Sequence, residues 1–260
     1  MYKGIVTMLL LVGLLPTVQA ETAAEKGLAI ITESDNRDKG WVDSSADLLM
    51  TLRNKKGGES IREMRIKSLE VEGDGDKSLT VFDQPRDVKG TAFLTYSHAL
   101  DADEQWIFLP ALKRVKRISS SNKSGPFMGS EFAYEDISSF EIEKYSYVYL
   151  SDEVIDGMDC FVVETKPLYK YSGYTKSILW IDKAEYQLRK VDYFDRKNSL
   201  LKTQQFSDYQ KFLDQYWRPL TMTMENKQNG KSTELKFSNY KFRTGLTDKD
   251  FEKNDLKRQR

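Results

Sequence analysis

The chain has 260 residues, with 40 basic and 40 acidic side chains, so its formal net charge is zero. This length suits one domain with a sizeable core, and the balanced charge argues against a nucleic-acid-binding protein, in which basic residues are in excess. Aromatic residues make up 12% of the chain, and Phe and Tyr favour strands over helices.

The first twenty residues are predicted to be a secretory signal peptide. Lys3 provides a positive start, residues 5–15 are mostly apolar, and Val18-Gln19-Ala20 is a small-residue cleavage site. An apolar run of this length is too short for a comfortable membrane span. We therefore expect cleavage after Ala20, export of the product and one domain over residues 21–260. An uncleaved anchor is the alternative.

A helix is predicted at the start of the mature chain. Thr22 and Glu25 have the Thr-x-x-Glu spacing of a capping box. Leu28 and Ile31 recur on one face, and Gly40 suits the left-handed residue that ends a helix. We expect this apolar stripe to pack against a sheet.

From Leu48 to Phe242 the chain alternates strand-like runs with turn signals. The turns include "KKGGE", "GDGD" and "NKQNGKS", which contain the glycine and asparagine residues typical of hairpins. About ten or eleven strands result, nearly all of them neighbours in sequence. This pattern predicts one antiparallel meander curled into a barrel or half-barrel.

Two segments are unusually apolar. "WIFLPAL" at residues 106–112 is apolar on both faces of a strand and should lie deep in the sheet. "SGPFMGSEFAYED" at 124–136 places large apolar residues among Gly and Pro, where regular structure breaks. We expect this second segment to form either the cover of a ligand groove or a loop that fills the core.

Few residues suggest catalysis or metal binding. The chain holds one histidine, His98, and one cysteine, Cys160, whereas zinc sites usually combine several such ligands, so no metal or cofactor is predicted. No G-x-S-x-G motif is present, no catalytic residue is predicted, and Cys160 is expected to be a buried structural thiol. A hydrolase using two carboxylates remains an alternative, because sequence cannot select the pair.

"KRVKR" at residues 113–117 is a dense basic run. Lysine on a strand at the edge of a sheet discourages aggregation, and this is one interpretation. The other is a contact with phosphate head groups or with an acidic partner. The candidate contact residues are Lys113, Arg114, Lys116 and Arg117.

Three segments together resemble the LolA/LolB-like superfamily of outer-membrane lipoprotein-sorting proteins. They are "FDQPRDVKGTAFLTYSH" (82–98), "QWIFLPALKRVKRIS" (105–119) and "GPFMGSEFAYEDIS" (125–138). More narrowly, they resemble the branch found beside RND-type (MMPL-like) membrane transporters. Pro167 and "WID" at 180–182 follow in the same order, so the resemblance covers nearly the whole mature chain. The cavity arginine of the best-known carriers has no obvious counterpart.

The resemblance implies an unclosed β-barrel of about eleven antiparallel strands wrapped over lid helices. It also implies a periplasmic, non-enzymatic carrier whose apolar concavity shelters the acyl chains of a lipoprotein or lipid, with transient contact with a membrane surface. The alternative partner is an RND-type transporter, on which the protein would dock as an accessory subunit. The candidate groove and lid residues are Met64, Trp106, Phe108, Phe127, Met128, Phe132, Met222 and Met224.

Overall fold

A computed structural model describes residues 20–259 of the chain, so nearly all of the predicted signal peptide lies outside the described residues. The described part contains one α-helix, α1 (Ala23–Arg37), and thirteen strands. The strands are β1 (Asp43–Arg53), β2 (Glu59–Leu69), β3 (Lys77–Gln84), β4 (Ala92–Tyr96), β5 (Glu104–Leu109), β6 (Arg114–Ile118), β7 (Tyr145–Ile155), β8 (Met158–Pro167), β9 (Tyr174–Asp182), β10 (Leu188–Asp195), β11 (Leu200–Phe212), β12 (Tyr216–Asn226) and β13 (Ser232–Phe242).

All thirteen strands form one antiparallel sheet. Their order is β6-β5-β4-β3-β2-β1-β13-β12-β11-β10-β9-β8-β7, so only the pairing of β1 with β13 joins strands that are distant in sequence. Among the described residues, β6 and β7 are edge strands that do not pair with each other. The predicted fold class, an unclosed antiparallel barrel, is confirmed. The predicted strand number of about eleven is too low, although every predicted run overlaps a strand.

The helix begins where its capping box predicts. The Glu25 backbone N–H donates to the Thr22 hydroxyl at 3.2 Å, and the Thr22 backbone N–H donates to the Glu25 carboxylate at 2.8 Å. The buried stripe differs from the prediction, because Gly27, Ile30 and Ile31 face the sheet while Leu28 is 45% exposed. The reason is the close approach of α1 to β7, which requires the residue without a side chain, Gly27, at the contact.

The two faces of the sheet follow from strand alternation. Phe93 lies opposite Ile107, and Leu94 lies opposite Trp106; residues directly opposite each other share a face. Phe93 and Ile107 belong to one buried cluster and Leu94 and Trp106 to another. We call the face that carries Phe93 the inner face, and the other the outer face.

Residues 119–144 connect the two edge strands, β6 and β7, and are here called the crossing segment. This segment contains short 3₁₀ turns and packs against the inner face, where its Phe127 and Phe132 join the cluster of Phe93. The helix α1 covers another part of the inner face, through Ile30 and Ile31 against Val163 of β8 and its neighbours. The cover of the half-barrel is therefore one helix and one irregular segment.

The C-terminal turns cover part of the outer face. Phe251 and Leu256 are buried against Leu79, Leu94 and Trp106. This packing gives the β3–β5 region apolar contacts on both faces, as expected for "WIFLPAL". No helix in residues 20–259 is long and apolar enough to span a membrane.

Candidate functional site

The crossing segment fills one half of the inner face. Phe127 and Phe132 are only 2% and 3% exposed, and the ring centroid of Phe127 lies 5.0 Å from that of Phe93. Tyr134 packs against both of these rings, at 5.6 Å from Phe93 and 5.8 Å from Phe127. Large aromatic rings buried to this degree serve as core, so the segment is a plug in this structure.

The structure brings together six of the eight predicted groove residues. Met64, Phe127, Phe132 and Met224 are buried in the inner cluster, and Met128 and Met222 are partly buried at its edge. The other two, Trp106 and Phe108, pack on the outer face with the C-terminal turns and are separate from the inner cluster. The reason is alternation along β5, because Ile107 occupies the inward position between them.

An apolar strip on β11–β13 lies between the two covers. Phe206 packs at the edge of the α1 cluster, and Met222 and Phe237 pack at the edge of the crossing-segment cluster. Phe206 and Met222 lie opposite each other in the sheet, as do Met222 and Leu235. Phe206, Met222 and Phe237 are only partly buried, so the strip is a partly accessible apolar part of the inner face.

The strip continues into an aromatic cluster near the β11–β12 turn. The rings of Phe237 and Tyr240 are 5.9 Å apart, and Tyr240 lies 5.3 Å from Phe212 and 5.9 Å from Phe242. Asn239, with φ of 54°, marks the bulge that places Tyr240 on the same face as Phe237. Burial raises the pKa of Tyr240 to about 12, as expected for a phenol among rings. Sequence alternation alone misses this aromatic cluster because the bulge breaks the period of two.

Two arginines lie on the inner face beside the apolar side chains. Arg62 donates a hydrogen bond to the Met128 carbonyl oxygen of the crossing segment, and burial lowers the pKa of its guanidinium. Arg218 pairs with Asp38, and its guanidinium lies 5.6 Å from the centre of the Phe242 ring. Neither arginine is among the candidate residues predicted from the sequence. Either guanidinium could interact with an anionic group next to an apolar chain.

Polar contacts attach the crossing segment to many strands. The Glu131 backbone N–H donates to the Thr233 hydroxyl of β13 at 3.0 Å, and the Asn226 side-chain amide donates to the Glu131 carboxylate at 2.7 Å. The Gln105 side-chain amide of β5 donates to the Tyr134 carbonyl oxygen at 2.9 Å. Strands from both halves of the sheet are thus joined through one segment.

Asp103 holds both ends of the crossing segment. Lys123, near its start, donates to the Asp103 carboxylate at 2.5 Å, and Lys144, its last residue, donates to the other carboxylate oxygen. Burial alone would raise the pKa of Asp103, but the hydrogen bonds from the two lysines outweigh burial and hold it below its ordinary value. This three-residue cluster anchors the segment where it enters and leaves the inner face.

Two carboxylates with raised pKa values lie near the end of the crossing segment. Burial, reinforced by the charge of Asp76, raises the pKa of Glu141 to about 7, and burial raises that of Asp76 to about 6. A carboxylate-based hydrolase would depend on such a pair. Among the described residues no group of three or more His, Cys, Asp or Glu could hold a metal ion. His98 pairs instead with Asp74 at 2.7 Å, a hydrogen bond that lowers the pKa of Asp74 to about 2.

The predicted contact residues lie on an exposed edge strand. Arg114, Lys116 and Arg117 of β6 and the preceding Lys113 are all exposed, and Arg117 pairs with Glu104 at 3.0 Å. Cys160 is fully buried, as expected for a structural thiol. The edge position fits both interpretations of the basic run, protection against aggregation and partner contact.

The architecture agrees with that of known proteins. A family model described as an uncharacterised protein matches residues 74–258. A solved domain from Vibrio parahaemolyticus, assigned to outer-membrane lipoprotein sorting, is 62% identical with a TM-score of 0.89, over 90% of this chain and 99% of that chain. A DUF1329 family protein from Desulfovibrio piger is 30% identical with a TM-score of 0.86, over 91% of this chain and 100% of that chain.

A third solved structure is similar in fold. It is a LolA superfamily protein from Nitrosomonas europaea, 22% identical with a TM-score of 0.71, over 90% of this chain and 99% of that chain. No curated protein gives a significant match. An unclosed half-barrel with a covered inner face defines a protein of the LolA-like class. The chain belongs to the DUF1329 family, and its fold is LolA-like.

Proposed function

We propose that this protein is a non-enzymatic carrier that shelters the acyl chains of a lipoprotein or lipid on its inner face, for transfer toward the outer membrane. The observation that supports the proposal is the partly buried strip of Phe206, Met222 and Phe237 between the two covers. An acyl chain laid along this strip would contact rings and a methionine, whose flexible thioether adapts to irregular cargo.

The energy of such binding is adequate without any catalytic group. Each buried methylene contributes roughly 0.8 kcal/mol, so ten methylenes would contribute about 8 kcal/mol. The strip is only partly open, and deeper insertion would require α1 or the crossing segment to move. A carrier that must release its cargo benefits from such incomplete burial, because a fully enclosed chain would leave slowly.

The proposed location is the periplasm. The predicted signal peptide supports export, and the relative from Vibrio parahaemolyticus is assigned to outer-membrane lipoprotein sorting. A carrier in that compartment would receive its cargo at one membrane and release it at the other.

The test is titration with a fluorescent fatty acid, together with mass spectrometry of an organic extract of the gently purified protein. Met222→Trp should fill the strip and weaken probe binding at least tenfold, as roughly expected when about 1.4 kcal/mol or more of contact is lost. Leu49→Trp, on the outer side of β1 between inward-facing Leu48 and Met50, is the matched control and should bind normally. An extract without amphiphile and no probe binding by the unmodified protein would contradict the proposal.

A second candidate function is an accessory subunit that docks on an RND-type transporter. The observation that favours it is the exposed basic edge strand β6. Lys113→Glu with Lys116→Glu should abolish a complex with the transporter, measured by co-purification, and leave fatty-acid binding unchanged. Retention of the complex would contradict this docking role. Loss of fatty-acid binding in the same variant would show that β6 also contributes to the carrier function.

A further inference from the structure

The zero net charge of the chain conceals a separation of charge between the two rims of the sheet. In an antiparallel meander, successive turns fall alternately at opposite ends of the strands. Six turns fall on one rim. Four of them join β1 to β2, β8 to β9, β10 to β11 and β12 to β13, and occupy residues 54–58, 168–173, 196–199 and 227–231, while the β3–β4 and β5–β6 turns at residues 85–91 and 110–113 lie further along the same rim. We call the first four turns the basic rim.

The four turns contact one another in sequence around the sheet. Arg196 Nε donates to the Ser172 carbonyl oxygen at 3.1 Å, which links the β10–β11 and β8–β9 turns. Gln228 Nε2 donates to the Leu200 carbonyl oxygen at 3.2 Å, which links the β12–β13 turn to the start of β11. A cleft between the β1–β2 and β12–β13 turns is lined by Asn54, Lys55, Lys56, Asn229 and Lys231. The basic rim is therefore one continuous surface.

This surface carries seven exposed cations and no carboxylate of its own: Lys55, Lys56, Lys170, Arg196, Lys197, Lys227 and Lys231. Lys227 pairs with Glu225 of β12 at 2.7 Å. Within residues 20–259 the other six form no ion pair within 4.0 Å, including with the nearby strand residue Asp195, which accepts from the backbone N–H groups of Lys197 and Ser199. Six positive charges therefore lie outside close ion pairs, although the charge of Lys197 still helps to lower the pKa of Asp195.

The opposite rim is acidic. Its turns occupy residues 70–76, 97–103, 156–157, 183–187 and 213–215, and Lys183 is their one lysine or arginine. Leaving out the buried Asp103, which two lysines neutralise, their acidic residues are Glu70, Glu72, Asp74, Asp76, Asp101, Asp156, Glu185 and Asp214. An anionic surface would attract one rim and repel the other, so the charge separation orients the molecule.

Apolar side chains stand among the cations of the basic rim. Leu168 is 66% exposed and Tyr171 is 45% exposed, and Lys170 Nζ lies 4.9 Å from the centre of the Tyr171 ring. Leu200 follows the β10–β11 turn and is also exposed. Tyrosine is enriched at membrane–water interfaces, and leucine can insert among acyl chains.

We propose that the basic rim docks on a bilayer that contains anionic lipids. Clustered lysines and arginines bind such surfaces electrostatically, and the exposed Leu168 and Tyr171 favour a bilayer over a soluble polyanion or over the acidic rim of a second copy. The proposal rests on the proposed carrier function for its purpose, since a carrier must reach a membrane. The contact itself needs no cargo.

The test is co-sedimentation with vesicles of phosphatidylcholine, with and without phosphatidylglycerol, at low and high salt. The unmodified protein should bind only the anionic vesicles, and high salt should release it. The rim variant carries Lys55→Gln, Lys56→Gln, Lys170→Gln and Lys197→Gln. Because each lysine near an anionic surface strengthens binding about fivefold, this variant should bind on the order of a hundredfold or more weakly.

The matched control removes the same charge from the C-terminal turns, through Lys249→Gln, Lys253→Gln, Lys257→Gln and Arg258→Gln, all exposed, and should retain vesicle binding within about threefold. A second variant, Leu168→Ser with Tyr171→Ser, keeps every charge and should also bind more weakly. Thermal unfolding should show that all three remain folded, and fatty-acid binding should stay unchanged in all three. If the unmodified protein bound no fatty acid, that result would contradict the carrier function but not membrane docking by the basic rim.

Three results would overturn the inference. They are equal binding to neutral and anionic vesicles, equal binding by the rim and control variants, and binding of a short oligonucleotide as tight as that of anionic vesicles. A fourth result would also overturn it: the unmodified protein binds no vesicles but self-associates at low salt, and the rim variant does not self-associate. The basic rim would then contact a second copy of the chain.

Discussion

Lys202 of β11 and Asp136 of the crossing segment form an ion pair of 2.6 Å in which the two side chains are only 4% and 3% exposed. Each partner makes further hydrogen bonds. Asp136 also accepts from the Tyr174 hydroxyl at 2.8 Å and from the Ala133 backbone N–H at 2.6 Å, while Lys202 donates to the Glu131 carbonyl oxygen at 2.9 Å. This cluster joins the crossing segment to β9 and β11.

Removal of one partner should be costly, because it leaves the other charge buried and unpaired. We expect Lys202→Met to lower the free energy of unfolding by about 3–5 kcal/mol, measured by urea denaturation. Lys202→Met with Asp136→Leu should recover part of the loss. As a control, Lys227→Met, which breaks the exposed pair with Glu225, should cost less than about 1 kcal/mol. Equal effects of the two single changes would contradict a structural role of the buried pair.

The buried part of the crossing segment should contribute more to the stability of the fold than to ligand binding. Phe127→Ser with Met128→Ser should lower the free energy of unfolding by several kcal/mol, since deletion of a buried Phe alone costs about 3–5 kcal/mol. Phe140→Ser, at an exposed ring of the same segment, should cost far less. A double variant of normal stability that binds fatty acid weakly would instead identify a lid.

Stability should depend on pH through Glu141 and Asp76. Because their pKa values in the folded protein are raised, to about 7 and about 6, the folded state binds protons at a higher pH than the unfolded state does. The free energy of unfolding should therefore rise as the pH falls from about 8 to about 5. Lys144 opposes this effect at Glu141, while Asp103 and Glu143 reinforce it.

The measurement is a series of urea denaturation curves across this pH range. Glu141→Gln removes one titrating group, so it should be more stable than the unmodified protein at pH 8 and less dependent on pH. Below about pH 4 stability should fall again, because protonation of Asp103 weakens its contacts with Lys123 and Lys144. The same profile for both proteins between pH 8 and pH 5 would contradict the assignment to Glu141.

Gly27 should be needed for the contact between α1 and β7. A Cβ atom there would lie 2.8 Å from the Tyr149 backbone nitrogen, although alanine is about 1 kcal/mol better than glycine inside a helix. We expect Gly27→Ala to lower the melting temperature despite its better helix propensity. Ala29→Gly, at an exposed position of the same helix, should lower it by propensity alone. A higher melting temperature for Gly27→Ala would show that α1 can shift.

The local elements could be predicted because their causes lie within a few residues. The capping box of Thr22 and Glu25 specified where α1 begins, and the turn signals placed the hairpins. The role of Leu28 could not be predicted in this way. Which stripe of a helix is buried depends on how closely the partner strand approaches, and here the contact selects Gly27 and Ile30.

Local pattern was thus enough for the strands, the meander and the apolar character of the crossing segment, since alternation and turn chemistry act over short distances. The tertiary structure determines which side chains are in contact. It placed Trp106 outside and Ile107 inside, and it joined Lys202 to Asp136 across 66 residues of chain. It also gathered the cations of four separate turns on one rim, because positions along the strands, and not distance in sequence, determine which turns become neighbours.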